Sequence, residues 1–322
     1  MRRARAGCDA TLKASRSPVP AMDIVVFGAG AMGSFFGGLL SRRNRVTLVC
    51  RKEHADAIRR SGLRITGKTS LIGHPQVATS IAGVKHADLV LVATKAYDTE
   101  SAARSLRRFA NRATWLTLQN GLDNPEVLAR TARRVVAGAT SHGVTFLRPG
   151  EIRHAGIGDT AIGAYAGTDA AEVVRIQALF DEAGVRTRVS ADIRRDLWLK
   201  VLVNAGINPL AALTRLRNGY LVSTPPLATA LASVIAEGAA VARGEGYDIS
   251  DHEATDLAVK IARRTRENKA SMLQDIEHGR RTEIEAITGA ILRAAARRGV
   301  PAPLNALAYG LIRGLERSTQ VT

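Results

Sequence analysis

The strongest constraint on this chain lies between residues 23 and 50. Asp23-Ile24-Val25-Val26-Phe27 is a short apolar run of the kind that forms a buried strand, and Gly28-Ala29-Gly30-Ala31-Met32-Gly33 follows at once. Ser34 to Ser41 then reads as a helix and Arg45-Val46-Thr47-Leu48-Val49-Cys50 as a second strand. A lone G-x-G-x-x-G means little, but one inside a β-turn-α-β unit of about 30 residues is specific. The first glycine permits the tight turn, the second lets the backbone approach a pyrophosphate, and the third lets helix and strand pack closely. The helix N-terminus adds unpaired N–H groups and partial positive charge. Residues 28 to 33 are therefore expected to bind a dinucleotide.

Beyond this unit the chain keeps alternating. Strand-like runs cover Leu63 to Ile65, Leu89 to Thr94, Thr114 to Leu118 and Arg134 to Thr140, with helical stretches near 53–61, 99–109 and 124–131. Such alternation predicts a Rossmann-type, doubly wound parallel sheet. The Gly-rich segment 143–165 has alternating apolar residues and reads as antiparallel edge strands. After about residue 190 strand signals nearly vanish, and 191–215, 224–246, 251–275, 280–298 and 302–316 carry Ala, Leu and Ile at helical spacing. The expected architecture is α/β, over residues 22–190, followed by an all-α domain over 191–322. Residues 1–21 are basic and lack an apolar core, so they are not a secretory signal. They read as a disordered tail, with Met22 as a candidate start.

Composition bounds the partners. Lys and Arg number 46 against 29 Asp and Glu, giving a net charge of +17. The arginines are spread along helices and loops without a dense run or interleaved aromatics, so no nucleic-acid partner is expected. A site that attracts a phosphorylated cofactor and a carboxylate accounts for part of the excess. No run of about 18 consecutive apolar residues is present, so no membrane span is expected. The two cysteines, Cys8 and Cys50, form neither a disulfide framework nor a metal site and fit a reducing, cytoplasmic setting. An Ala-rich helical half offers a surface for a homodimer.

The end of the second strand identifies the cofactor. NAD enzymes usually carry Asp or Glu there to accept from the ribose 2′-hydroxyl. Here the order is Cys50-Arg51-Lys52, and the Arg51 guanidinium matches a 2′-phosphate, which favours NADPH over NADH. Lys95 follows a strand and sits over the crevice where such sheets bind ligands. Asn120, in Gln119-Asn120-Gly121, either holds a cofactor amide or ribose or shapes the turn.

The helical half carries the sharper signal. Lys200, Asn204 and Asn208 fall four apart within an otherwise apolar stretch, Trp198 to Leu210, so they form a polar stripe one residue wide on one helix face. A buried lysine is costly unless its pKa falls or an anion meets it, and a bound 2-oxo acid would supply such a partner. The competing reading is an internal hydrogen-bond network. A carboxylate partner is available at Glu283 or Glu285, and spacing does not choose between them. Ser271 is either a hydroxyl in reach of a substrate or a helix residue satisfied by its own backbone.

Together these stretches resemble the ketopantoate reductase family from Met22 to about Glu316. The resemblance rests on the glycine turn, Lys95-Ala96, Asn120-Gly121, Lys200 with Asn204 and Asn208, and Asn218-Gly219. It extends to Ser271-Met272-Leu273-Gln274-Asp275 and Arg281-Thr282-Glu283-Ile284-Glu285. It implies that Lys200 is the proton donor and that Asn204, Asn208, Asn218 and Ser271 contact the substrate. Asn120 would touch both ligands, and Lys95 and the Val144 backbone would line the cofactor site. Glu283, preferred over Glu285 on this likeness, would sit beside the nicotinamide ribose and the lysine. Ser34-Phe35-Phe36 departs from the smaller residues many members carry. The expected activity is NADPH-dependent reduction of 2-dehydropantoate. A reductase of another 2-oxo acid or an opine-type substrate, or a non-catalytic NADPH sensor, are the alternatives, and the lysine-led stripe argues against a sensor.

Overall fold

A computed structural model describes residues 20–320 of the chain, leaving Cys8 and nearly all of the basic tail outside. Its first half runs β1 (Asp23–Phe27), α1 (Ala31–Leu40), β2 (Arg45–Val49), α2 (Lys52–Ser61), β3 (Leu63–Gly67), β4 (Leu71–Gly73) and β5 (Gln76–Ala78). Then come β6 (Leu89–Val92), α3 (Thr99–Leu106), β7 (Thr114–Thr117), α4 (Asn124–Ala129) and β8 (Val135–Thr140). The half closes with β9 (Gly143–Arg148), β10 (Glu151–Gly156), β11 (Thr160–Ala166), α5 (Ala170–Glu182) and β12 (Thr187–Val189).

Eight strands make one sheet in the order β12-β11-β8-β7-β6-β1-β2-β5. All its neighbours are parallel except β8 and β11. β1 and β6 are apolar throughout or nearly so, and every residue of β7 is buried, because both faces are covered by helices. The expectation of antiparallel edge strands over 143–165 holds for only part of that segment. β11 joins the main sheet, while β9 and β10 pair with each other and, through β3 and β4, form a separate four-stranded sheet. Local alternation cannot reveal which of two sheets a strand joins, because that pairing is non-local.

The second half is helical: α6 (Ile193–Thr214), α7 (Asn218–Ser223), α8 (Pro225–Gly244), α9 (Asp251–Arg264), α10 (Ser271–Glu277), α11 (Ile284–Arg298) and α12 (Pro303–Gln320). The expected helix 251–275 is in fact two, broken across 265–270. α6 is the central post, with Val201, Leu202, Ala205, Ala211 and Ala212 buried against the surrounding helices. Small residues let them come close: a Cβ at Gly206 would lie 2.7 Å from Ile235 on α8. By length and composition α6 and α8 match membrane spans, but 67% of the apolar window of α6 is buried inside the domain, as in a core helix. β12 ends at Val189 and α6 begins at Ile193, with Asp192 accepting from the Arg195 amide as N-cap. On α12, Leu304, Leu307 and Leu311 are exposed.

Candidate active site

A cavity of about 1270 Å³ runs between the carboxyl ends of the parallel strands and the face of α6. At one end lies the glycine turn. Gly28 has φ +94, and a Cβ there would sit 2.6 Å from Thr94, so only glycine is accommodated. Gly30 is the N-cap of α1, and a Cβ on it would meet nothing within 4 Å: the space a side chain would fill is open at the helix N-terminus. Open space, free first-turn amides and the positive helix end together fit a pyrophosphate. Gly28 to Met32 line this space, whereas Gly33 is buried beneath it, where a Cβ would lie 2.5 Å from the Gly28 carbonyl oxygen. Gly33 thus shapes the turn from behind.

The departure at Ser34-Phe35-Phe36 has a structural counterpart. His54 Nδ1 accepts from the Gly150 amide at 2.9 Å, so its Nε2–H donates to Ser34 Oγ at 3.0 Å, and Ser34 donates to the Ala29 carbonyl at 3.2 Å. This chain braces the glycine turn. Burial pushes His54 down to about 4, so it stays neutral. Phe35 packs on His142 and His154, and Phe36 on Phe180.

Arg51 is the N-cap of α2 and lines the cavity with its side chain exposed. Among the described residues it has no partner, whereas Lys52 is taken by Asp56 at 2.6 Å. Val144, on β9, also lines the cavity.

The floor is a network that joins the two halves. Glu283 precedes α11 and turns its carboxylate into the cleft, accepting from the Ala96 amide at 3.0 Å through Oε1 and from Asn120 Nδ2 at 3.0 Å through Oε2. Lys95 Nζ lies 2.6 Å from Asp275 and 3.6 Å from Glu283. Burial works against its charge, but Glu283 and Asp275 outweigh that and hold its pKa above the ordinary value. Burial likewise raises Asp275, against the pull of Lys95. Glu285 points away, to Arg293 and to the Tyr309 hydroxyl at 2.5 Å. Geometry therefore chooses between the two glutamates where spacing did not.

Asp275 is the residue that sequence reasoning passed over. It lies four after Ser271 on α10, so the same i, i+4 argument that found the lysine stripe would have placed it on the cleft side. Gln119 was also missed. Its Nε2 donates to the Thr94 carbonyl at 2.8 Å and to Thr99 Oγ1 at 3.0 Å, tying the ends of β6 and β7 so that Lys95 and Asn120 emerge side by side.

Opposite stands the stripe. Lys200, Asn204 and Asn208 all line the cavity from α6. None makes a side-chain hydrogen bond or ion pair among the described residues, so the internal-network reading fails. Burial pushes Lys200 down to about 8, against the pull of Glu283. Ser271 opens α10, exposed at the cleft.

Asn218, at the start of α7, is buried, and its orientation is determined. The Thr265 hydroxyl donates to the Ile261 carbonyl at 2.8 Å, so it accepts from Asn218 Nδ2 at 2.9 Å. Asn218 Oδ1 is left buried without a donor among the described residues.

This architecture recurs in known proteins. The family model for ketopantoate reductase PanE/ApbA matches residues 24–167, and that for its C-terminal part matches 192–316. The chain belongs to the ketopantoate reductase PanE/ApbA family. It is 41% identical over 302 residues to 2-dehydropantoate 2-reductase of Halobacterium salinarum, covering 92% of this chain and 99% of that one. The Bacillus subtilis 2-dehydropantoate 2-reductase is 31% identical over 304 residues, with the same coverage. Among solved structures, a PanE/ApbA family ketopantoate reductase from Ralstonia eutropha JMP134 superposes with a TM-score of 0.84 at 32% identity, covering 93% of this chain and all of that one. D-mandelate dehydrogenase with NADH and anilino(oxo)acetate reaches 0.88 at 24% identity, which establishes the shared fold. This ketopantoate reductase family member is accordingly an oxidoreductase of the CH–OH class that depends on a nicotinamide dinucleotide.

Proposed function

We propose that this protein reduces 2-dehydropantoate to (R)-pantoate with NADPH, a step of pantothenate biosynthesis, with Lys200 as the general acid. Lys200 carries the reading: it is a cleft cation with no side-chain partner among the described residues, and burial lowers its pKa to about 8, within the range that suits proton transfer near neutrality. The bound reduced nicotinamide supplies hydride to the ketone carbon. Lys200 delivers a proton to the oxygen as negative charge grows on it, and its ammonium stabilises that charge in a site shielded from water. Glu283 holds Asn120 and the Lys95–Ala96 loop against the floor and its charge keeps Lys200 protonated. Asn204 and Asn208, whose side chains have no partner among the described residues, serve the substrate's polar groups, and Ser271 offers a hydroxyl from the facing helix. NADPH oxidation at 340 nm against a panel of 2-oxo acids tests the assignment; turnover of other acids but not of 2-dehydropantoate would overturn its substrate.

Two details sharpen the specificity. The orphan Asn218 Oδ1 calls for a donor, and 2-dehydropantoate carries a hydroxyl at C4. Asn218→Ala is expected to raise KM for 2-dehydropantoate by about 10-fold, one hydrogen bond's worth, while leaving an analogue without that hydroxyl little changed. Steady-state kinetics on the two substrates decides it. For the cofactor, the Arg51 side chain, without a partner among the described residues, offers a guanidinium for a 2′-phosphate. Arg51→Ala is expected to weaken NADPH by about 10- to 100-fold, as loss of charge-assisted bonds does, and to leave NADH unchanged. Fluorescence titration with both nucleotides measures this.

A further inference from the structure

The two halves also meet around Arg264. Arg264, the last residue of α9, reaches out of the helical half to Asp159 Oδ2 at 3.2 Å and to Ser141 Oγ at 3.0 Å. Its targets are two loops bound to each other: Ser141 N donates to the Asp159 carbonyl at 3.0 Å, and Asp159 N to Ser141 Oγ at 3.0 Å. Gly158 lets them lie flush, since a Cβ there would come within 2.1 Å of the Ser141 backbone.

The residue after Arg264 is Thr265, whose hydroxyl fixes the Asn218 amide. The same turn holds Asn218 and Gly219 by backbone as well: Asn218 N donates to the Asn268 carbonyl at 3.0 Å and Gly219 N to that of Arg266 at 3.2 Å. Arg264 and Asn218 are thus the two sides of one short segment, one facing the dinucleotide-binding half and the other the substrate cleft. The ion pair is half-exposed and adds little to overall stability. Its position makes it consequential. A turn anchored at one side only would let Asn218 drift, and small misplacements of a positioning group have large effects on a bound ligand.

We infer that Arg264 is a positioning residue for substrate: it latches the 141 and 159 loops to the end of α9 and so holds Asn218 at the angle the substrate requires. The inference rests on the proposed reduction of a 2-oxo acid in this cleft. Arg186 supplies an internal control. It pairs with the other oxygen of Asp159 at 2.8 Å but lies in the same half as Asp159, so it does not bridge the cleft.

The test compares Arg264→Ala with Arg186→Ala in the full chain. Arg264→Ala is expected to raise KM for the oxo acid by about 3- to 10-fold, with kcat held within about two-fold and NADPH affinity unchanged. Arg186→Ala removes the same charge beside Asp159 and should leave KM within about two-fold, as a rim charge with no bridging role would. In the double variant Arg264→Ala/Asp159→Asn the KM should rise no further, because both changes open one latch. Hydrogen exchange, read without substrate, should quicken at 141–143, 156–159 and 218–223 in Arg264→Ala alone. Equal effects of the two arginine variants on KM, or a fall in kcat with KM unchanged, would overturn the latch. Unchanged exchange at 218–223 would do the same even if no oxo acid proves to be a substrate. Failure of the wild-type protein to turn over any 2-oxo acid overturns the functional reading instead.

Discussion

Lys200→Ala is expected to lower kcat by about three to four orders of magnitude while NADPH still binds, since the variant loses both the proton donor and the charge that stabilises the forming alkoxide. The glycine turn and Arg51 lie at the other end of the cavity and are untouched by the change. The wild-type pH profile should carry the same signature. Burial lowers the Lys200 pKa to about 8. Reduction needs the protonated form, so activity is full below that value and falls as pH rises through it. Single-turnover kinetics and a pH–rate series check both statements; turnover in Lys200→Ala near the wild-type rate would remove Lys200 from the mechanism.

Glu283→Gln should have the next largest effect. The substitution keeps the side chain's shape but removes the charge that Lys95, Asn120, the Ala96 amide and Lys200 all feel. One oxygen becomes an NH₂ group facing donors, which leaves a buried hydrogen bond broken. A loss of about 10- to 100-fold in kcat/KM follows from the weight of hydrogen bonds to charged groups. The direction of the pH shift is the more telling result. Glu283 draws the Lys200 pKa upward against burial, so its neutralisation must move the alkaline limb to lower pH. An alkaline limb that stays in place would mean that Glu283 does not act on Lys200.

Much of this molecule was legible before folding. The glycine turn announced itself because its strand, turn and helix are contiguous, and contiguous elements obey local periodicity. The polar stripe on α6 was legible for the same reason: a helix places i, i+4 and i+8 on one face wherever it sits. What local rules could not supply was the partner of each group. Spacing left Glu283 and Glu285 equivalent, and only the packing of α11 over the β6 and β7 loops turns one into the cleft and the other to Tyr309 and Arg293. Asp275 and Arg264 escaped notice because their significance lies in contacts 180 and 105 residues away along the chain.

Sequence alone determined the dinucleotide turn, the helical second half and the face that carries Lys200, since each depends on neighbours within a few residues. The tertiary structure decided the rest: which strands share a sheet, which carboxylate meets the lysines, and how Asn218 is turned. Those outcomes depend on which distant surfaces bury one another, and a pattern with a period of two or 3.6 residues carries no record of that.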